Sequence, residues 1–237
     1  MKLLVKSIPM IKALIFDFDG LILDTETPEY HALSEIYREY GQELPITVFA
    51  QVVGSDYSHA YEPVSHLQGL TGKNLQDAGI LQRMHTRRME LIYQNTTLPG
   101  VDNLVREAHL AGLKLAVASS SAHAWVDQHL ARLGLFDFFD VIICKDDVGR
   151  IKPNPDLFLA AIQALDVQPS EAVIFEDSLN GIIAGQLAGI RVVAVPNPIT
   201  EHLDLQGQTL RLTSLAGLTL EVLFSQLSAF SHGDAVQ

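Results

Sequence analysis

The stretch IKALIFDFDG, residues 11–20, decides how the chain folds. Ile11–Phe16 is a short, nearly continuous apolar run without polar alternation, the pattern of a strand buried on both faces in a parallel sheet. It breaks off at two carboxylates, Asp17 and Asp19, and at Gly20, which permits a tight turn. Four further runs share this character: Leu113–Ala118, Val141–Cys144, Ala172–Phe175 and Ile190–Val195. Helical patterns separate them at about 101–111, 122–133, 155–165 and 179–188. Pro99-Gly100 opens the first of these helices, Gly112 and Gly134 close helices, and Asp177-Ser178 is placed to cap the last. Strand–helix alternation of this kind predicts an α/β fold, a doubly wound, Rossmann-like parallel sheet with right-handed crossovers.

One region breaks the alternation. From Asp24 to Thr97 no strand-like run occurs, and helical patterns near 28–40, 45–53, 57–69 and 74–95 follow one another. Some 70 residues are too many for a loop. The expected organisation is an α/β core from residues 1–23 and 98–237, with a small helical cap domain from 24–97 hinged near 23–27 and 95–99.

Composition narrows the function. The 237 residues are 48% hydrophobic and 19% charged, ample for a packed core, and carry a formal net charge of −12. Such a surface repels a phosphate backbone, so nucleic acid is not expected as a partner. Cys144 is the only cysteine and sits in an apolar run, which favours a small core residue in a reducing compartment. The amino-terminal MKLLVKSIPMIKALIF runs straight into Asp17 without a small-residue cleavage site, and no 18 apolar residues occur in a row. A monomeric, cytoplasmic protein without membrane contact is expected.

In an open α/β sheet, ligands bind outside the carboxyl ends of the strands. Polar residues gather at four of those ends. Asp17 and Asp19, spaced i, i+2, can divide nucleophilic and proton-transfer roles, although Asp-Gly turns are common without function. Ser119, followed by Ser120 and Ser121, offers hydroxyl and backbone N–H groups to an anion or serves as a helix cap. Lys152, in IKPNP, offers a point charge beside a proline that restricts the backbone, or is an ordinary solvated lysine. Glu176-Asp177 places adjacent carboxylates at the end of a buried strand, a repulsive arrangement unless a cation or a cap role relieves it. Each station is ambiguous alone; four in sequence, each ending a different apolar run, are not.

With those residues in view, FDFDG, the Ser of VASSS, the Lys of IKPNP and FEDSLNG resemble the four motifs of the haloacid dehalogenase-like superfamily over residues 11–197. The helical insert between the first two motifs is similar to the subgroup of β-phosphoglucomutase and many small phosphatases. The resemblance implies that Asp17 attacks phosphorus to form an aspartyl-phosphate. Asp19 would protonate the leaving oxygen and later take a proton from water. It implies Mg²⁺ held by the Asp17 carboxylate, the Asp19 backbone carbonyl and Asp177, with Glu176 direct or through water, and phosphoryl oxygens bound by Ser119, Ser120 and Lys152. Asp19 also argues against dehalogenation, in which the leaving halide needs no proton.

Substrate choice is expected to lie in the cap. Thr25, Glu26 and His31 lie near the first hinge, and Arg83 and Arg87 share a helix face with Arg88 beside them, either meeting an anionic substrate or forming local ion pairs. His59, His66 and His85 have no metal-ligand spacing, and Trp125 reads as core packing. Relatives of the mutase type carry an Arg after a cap Gly; here Val53-Gly54-Ser55-Asp56-Tyr57-Ser58 has none. The expected activity is therefore hydrolysis of a small phosphorylated metabolite. A sugar-phosphate isomerase and a non-catalytic sugar-phosphate sensor are the alternatives.

Overall fold

The computed structural model describes residues 10–50, 63–75 and 79–230. Six strands form one parallel sheet: β1 (Ala13–Phe16), β2 (Lys114–Ala118), β3 (Val141–Ile143), β4 (Ala172–Glu176), β5 (Arg191–Ala194) and β6 (Leu210–Arg211). Their order, β3-β2-β1-β4-β5-β6, places the strand carrying Asp17 at the centre. Each apolar run is a strand; four are trimmed by one or two residues where their ends leave the ladder, and Ala172–Phe175 is extended by one to Glu176.

The period of two along each strand divides the apolar runs between two cores. Leu14, Phe16, Val117, Val173 and Phe175 face one layer, where the rings of Phe16 and Phe175 stack at 4.9 Å. Ala13, Ile15, Ala116, Ala118 and Ile174 face the other. Helices fill both sides, as burial on two faces requires: α5 (Val101–Leu110), α6 (His123–Leu133), α7 (Asp156–Leu165), α8 (Leu179–Leu187) and α9 (Leu220–Phe230).

Between β1 and β2 the chain makes α1 (Glu26–Glu39), α2 (Ile46–Ala50), α3 (Pro63–Thr71) and α4 (Ile80–Gln94). The expected start of the last helix at 74 is corrected: residues 72–75 are non-helical, and Gly79, at φ +63°, turns the chain immediately before Ile80. Residues 51–62, including His59 and the 53–58 segment, lie outside the described residues, as do residues 1–9 and the SHGDAVQ tail. A third apolar cluster holds the insert together, with Leu33, Ile36, Tyr37, Phe49 and Leu67 packed around one another.

The two crossings between sheet and insert are joined to each other. Leu23 and Thr97 form an antiparallel bridge, the Leu98 N–H donates to the Ile22 carbonyl at 2.9 Å, and Asn95 Nδ2 donates to the Asp24 carbonyl at 2.9 Å. Among the described residues, no helix is long and apolar enough to cross a membrane.

Candidate active site

The site is assembled from the ends of β1, β2 and β4 and from the loop beyond β3. The Asp17 N–H continues the β1 ladder by donating to the Phe175 carbonyl at 3.0 Å, so the nucleophile candidate is fixed by the sheet itself. The chain then turns sharply, with the Ile22 N–H donating to the Phe18 carbonyl at 2.9 Å. Gly20 sits at φ +80°, and a Cβ there would collide with the Asp177 carboxylate and the Asn197 amide. Only glycine lets this turn approach the end of β4.

Three buried carboxylates, Asp17, Glu176 and Asp177, bring ligand oxygens within 4.8 Å of one another. Lys152 enters between them, pairing with Asp17 and lying 2.5 Å from Glu176 Oε1. Its peptide to Pro153 is cis. The other Glu176 oxygen, Oε2, accepts from the backbone N–H and hydroxyl of Ser178, each at 2.9 Å. A Cβ on Gly181 would overlap the Glu176 carboxylate, so α8 presses its first turn directly onto this group. The cap role of this junction falls to Ser178, whose Oγ accepts from the Gly181 N–H at 3.1 Å, leaving the two carboxylates for other work.

The electrostatics are unbalanced. Burial pushes the Asp17 carboxyl up to about 7 despite the Lys152 charge that pulls it back, and Glu176 pushes it further. Burial raises Asp177 well above the carboxylate range, aided by the charges of Glu26 and Glu176. Burial also opposes the charge on Lys152, but Asp17 and Glu176 outweigh it and hold the ammonium above its ordinary value. Asp177 Oδ1 is buried with no hydrogen-bond partner, while its Oδ2 accepts from Asn197 Nδ2 at 2.8 Å. One ammonium against three buried carboxylates, with one oxygen unsatisfied, fits a hard divalent cation bound through oxygen.

Asp19 differs. It is half-buried, and each oxygen has its own donor: Ser121 Oγ to Oδ2 at 2.6 Å, and Trp125 Nε1 to Oδ1 at 2.9 Å. Ser119 is buried, its Oγ accepting from the Ser121 N–H at 3.0 Å. A pocket of about 570 Å³ opens above these groups. Its floor includes Asp17, Asp19, Ser119, Ser120 and Lys152, and its opposite wall includes Thr25, Glu26, Glu29, Phe49 and Arg88 from the helical insert.

Of the other residues singled out by the sequence, some reach the pocket and others do not. Arg83 and Arg87 do not reach the pocket; Arg83 pairs with Glu39 at 2.8 Å, and Arg87 with Glu35 at 3.0 Å and Glu90 at 3.1 Å. Glu35 and Glu39 come from α1, which packs along α4, so these pairs follow from a tertiary contact. Arg88 lines the pocket in their place, paired with Glu29 at 3.0 Å. His31 is exposed against Tyr30 and does not line the pocket. His66 meets the Tyr37 hydroxyl at 2.6 Å in the insert, and His85 is exposed. Trp125, read as packing, contacts Asp19 directly from the first turn of the helix that follows the Ser119–Ser121 loop. Asn197 also went unread, although it lies just beyond the end of β5, at the same edge of the sheet as Asp17. Its Nδ2 faces Glu26 Oε2 at 2.6 Å, Asp177 and the Gly20 carbonyl. Cys144 is buried, and burial pushes its thiol up to about 12, as suits an inert core residue.

Residues 14–195 match the model of the haloacid dehalogenase-like hydrolase family. The chain belongs to this family. The hydrolase is 44% identical over 220 residues to YhcW of Bacillus subtilis (strain 168), covering 93% of this chain and 99% of that one. It is 35% identical over 184 residues to the fructose-1-phosphate phosphatase YqaB of Escherichia coli (strain K12), covering 77% and 95%. The crystal structure of CbbY from Rhodobacter sphaeroides in complex with phosphate superposes with a TM-score of 0.68 at 31% identity, over 91% of this chain and all of that one. This member of the hydrolase family is an enzyme, a phosphoric monoester hydrolase.

Proposed function

We propose that the hydrolase acts on the monoester of a small sugar or polyol phosphate, with Mg²⁺ as its metal. The observation that carries the reading is the buried set Asp17, Glu176 and Asp177 with its unsatisfied oxygen, facing Lys152 beneath the pocket. Held by the Asp17 carboxylate, the Asp19 carbonyl and Asp177, with Glu176 direct or through water, Mg²⁺ would supply the positive charge that offsets repulsion between an anionic nucleophile and a dianionic ester.

The residues divide the remaining work. Asp17 forms a bond to phosphorus as the ester oxygen leaves, giving an aspartyl-phosphate. Asp19 donates a proton to the leaving oxygen, then accepts one from the water that releases phosphate. Such assistance is worth about 10²–10⁴-fold. Ser119, Ser120 and Lys152 hold the phosphoryl oxygens and stabilise charge as it shifts.

Residues 24–97 serve as the cap, which excludes bulk water when it closes on the leaving group. The charge of Arg88 is balanced by Glu29, and Glu26 lies close by, so this wall suits hydroxyl groups better than a second anion. The relative that acts on fructose 1-phosphate is in keeping with a neutral polyhydroxyl leaving group. No observation favours the isomerase or the sensor. A cytoplasmic monomer remains the proposed form; the single, buried, free thiol is in keeping with a reducing compartment.

Phosphate release from sugar phosphates, nucleoside monophosphates and an aryl phosphate tests this reading, run with Mg²⁺, with chelator and with Asp17→Asn. Metal-dependent turnover that is lost in the variant and is best with neutral sugar monophosphates is the expected result. Turnover that persists in chelator or in the variant would overturn it.

A further inference from the structure

We propose that Trp125 is a positioning residue for the proton transfer of the reaction, holding the Asp19 carboxyl through its indole N–H. The inference rests on Asp19 being the acid–base group of the proposed function.

The contact is built rather than incidental. Trp125 stands in the first turn of α6, directly after the Ser119–Ser121 loop, and its Nε1 lies 2.9 Å from Asp19 Oδ1. The ring is held from behind by His129, one turn along the same helix and fully buried, with centroids 4.2 Å apart and planes at 66°. His129 is itself enclosed by Phe18 and Tyr93, and Arg132 Nε donates to its Nδ1 at 3.2 Å. Burial and the Arg132 charge hold its pKa below the ordinary value, so the imidazole is a neutral wall. Arg132 also donates to the Asn95 carbonyl at 2.8 Å, anchoring this stack to the second crossing into the helical insert.

The chemistry explains what the contact is for. An indole N–H donates and never accepts. The oxygen facing it stays an acceptor whether Asp19 is protonated or not, so the transferable proton belongs to Oδ2. There the partner is the Ser121 hydroxyl, which can either donate or accept. Trp125 thus fixes both the plane of the carboxyl and which oxygen carries the proton. That proton passes to the ester oxygen as the phosphorus–oxygen bond breaks and the bond to Asp17 forms; Asp19 then takes a new proton from the water whose oxygen bonds phosphorus as the bond to Asp17 breaks.

Leaving-group dependence tests this. Trp125→Phe keeps an aromatic ring against His129 and removes only the donor. The comparison is kcat/KM for fructose 1-phosphate, whose alkoxide leaving group needs a proton, against 2,4-dinitrophenyl phosphate, whose leaving group does not. Each is measured under single-turnover conditions with excess enzyme. The expected result is a loss of about tenfold or more with the sugar ester and about twofold or less with the aryl ester. The ratio of the two constants does not depend on the fraction of the variant that folds. Equal losses, or no loss with either, would overturn the role of Trp125. Asp19→Asn is run alongside. If it spares the aryl ester and Trp125→Phe does not discriminate, only the positioning role fails; if Asp19→Asn also fails to discriminate, the acid–base reading of Asp19 falls with it.

Discussion

Two regions of this hydrolase set arginine or lysine against glutamate and aspartate, and they do so in opposite ways. Along the outer face of α1 and α4, Arg83 and Arg87 meet Glu39, Glu35 and Glu90 with every partner partly in water. At the strand ends, Lys152 meets Asp17 and Glu176 with all three groups buried, and a third carboxylate, Asp177, is added without a matching cation. Solvated pairs cost little to form and contribute little. Buried carboxylates in excess are expensive, and a fold keeps them only where the imbalance is used. The difference lies in desolvation and not in residue type, which is why the first cluster reads as surface and the second as chemistry.

The largest expected effect that would break this contrast is on Asp17, the proposed nucleophile. Asp17→Asn should lower turnover by about 10⁴-fold or more. Its melting temperature in chelator should rise, because one member of a repulsive buried set is gone; a fall would mean that the cluster is balanced without metal. Lys152→Met should lower kcat/KM by about 10²–10³-fold through loss of phosphoryl stabilisation, measured at saturating Mg²⁺. Metal should also stabilise the fold by about 2.7 kcal/mol at a hundred times its dissociation constant, read as a shift in thermal unfolding. In Asp177→Asn that shift should largely vanish.

A smaller effect sharpens the surface side. His123 bonds Asp127 at 3.2 Å and Asp147 at 2.8 Å, and its backbone N–H donates to the Asp146 carboxylate at 2.8 Å. Burial lowers its pKa, but the hydrogen bonds and charges of Asp127 and Asp147 outweigh that and raise it above 6.5. Stability from a raised imidazole is full below about 6.5 and is lost as pH climbs through the folded value. The melting-temperature gap between wild type and His123→Asn should therefore be widest below about pH 6.5 and should close as pH rises above it. Least of all, Arg83→Ala and Arg87→Ala should leave kcat/KM unchanged and melting within about 2 °C of wild type. A large loss in either would erase the distinction between the two regions.

The sheet was legible because a strand buried on both faces has little choice of composition: Ile11–Phe16 and Ala172–Phe175 announce themselves. The core of the candidate site was legible for a related reason, since polar residues that follow such runs fall at one edge of the sheet. What stayed hidden depends on pairings across long stretches of chain. Arg87 finds Glu35 52 positions away, and Trp125 finds Asp19 across 106. Neither separation leaves a local trace. Asn197 is the instructive omission, because the strand-end argument that found Asp17 applies equally to the residue after Val195-Pro196. The end of β5 went unread only because no charge marks it.

The bonds that tie Leu23 to Thr97 and Asn95 to Asp24 have a consequence for how such a protein changes over time. The chain leaves and re-enters the sheet through one stitched doorway, and none of the described residues of the insert beyond it adds a strand to the sheet. The helices can be exchanged like a cassette, and a lineage can try new leaving-group walls while the phosphoryl chemistry is inherited intact.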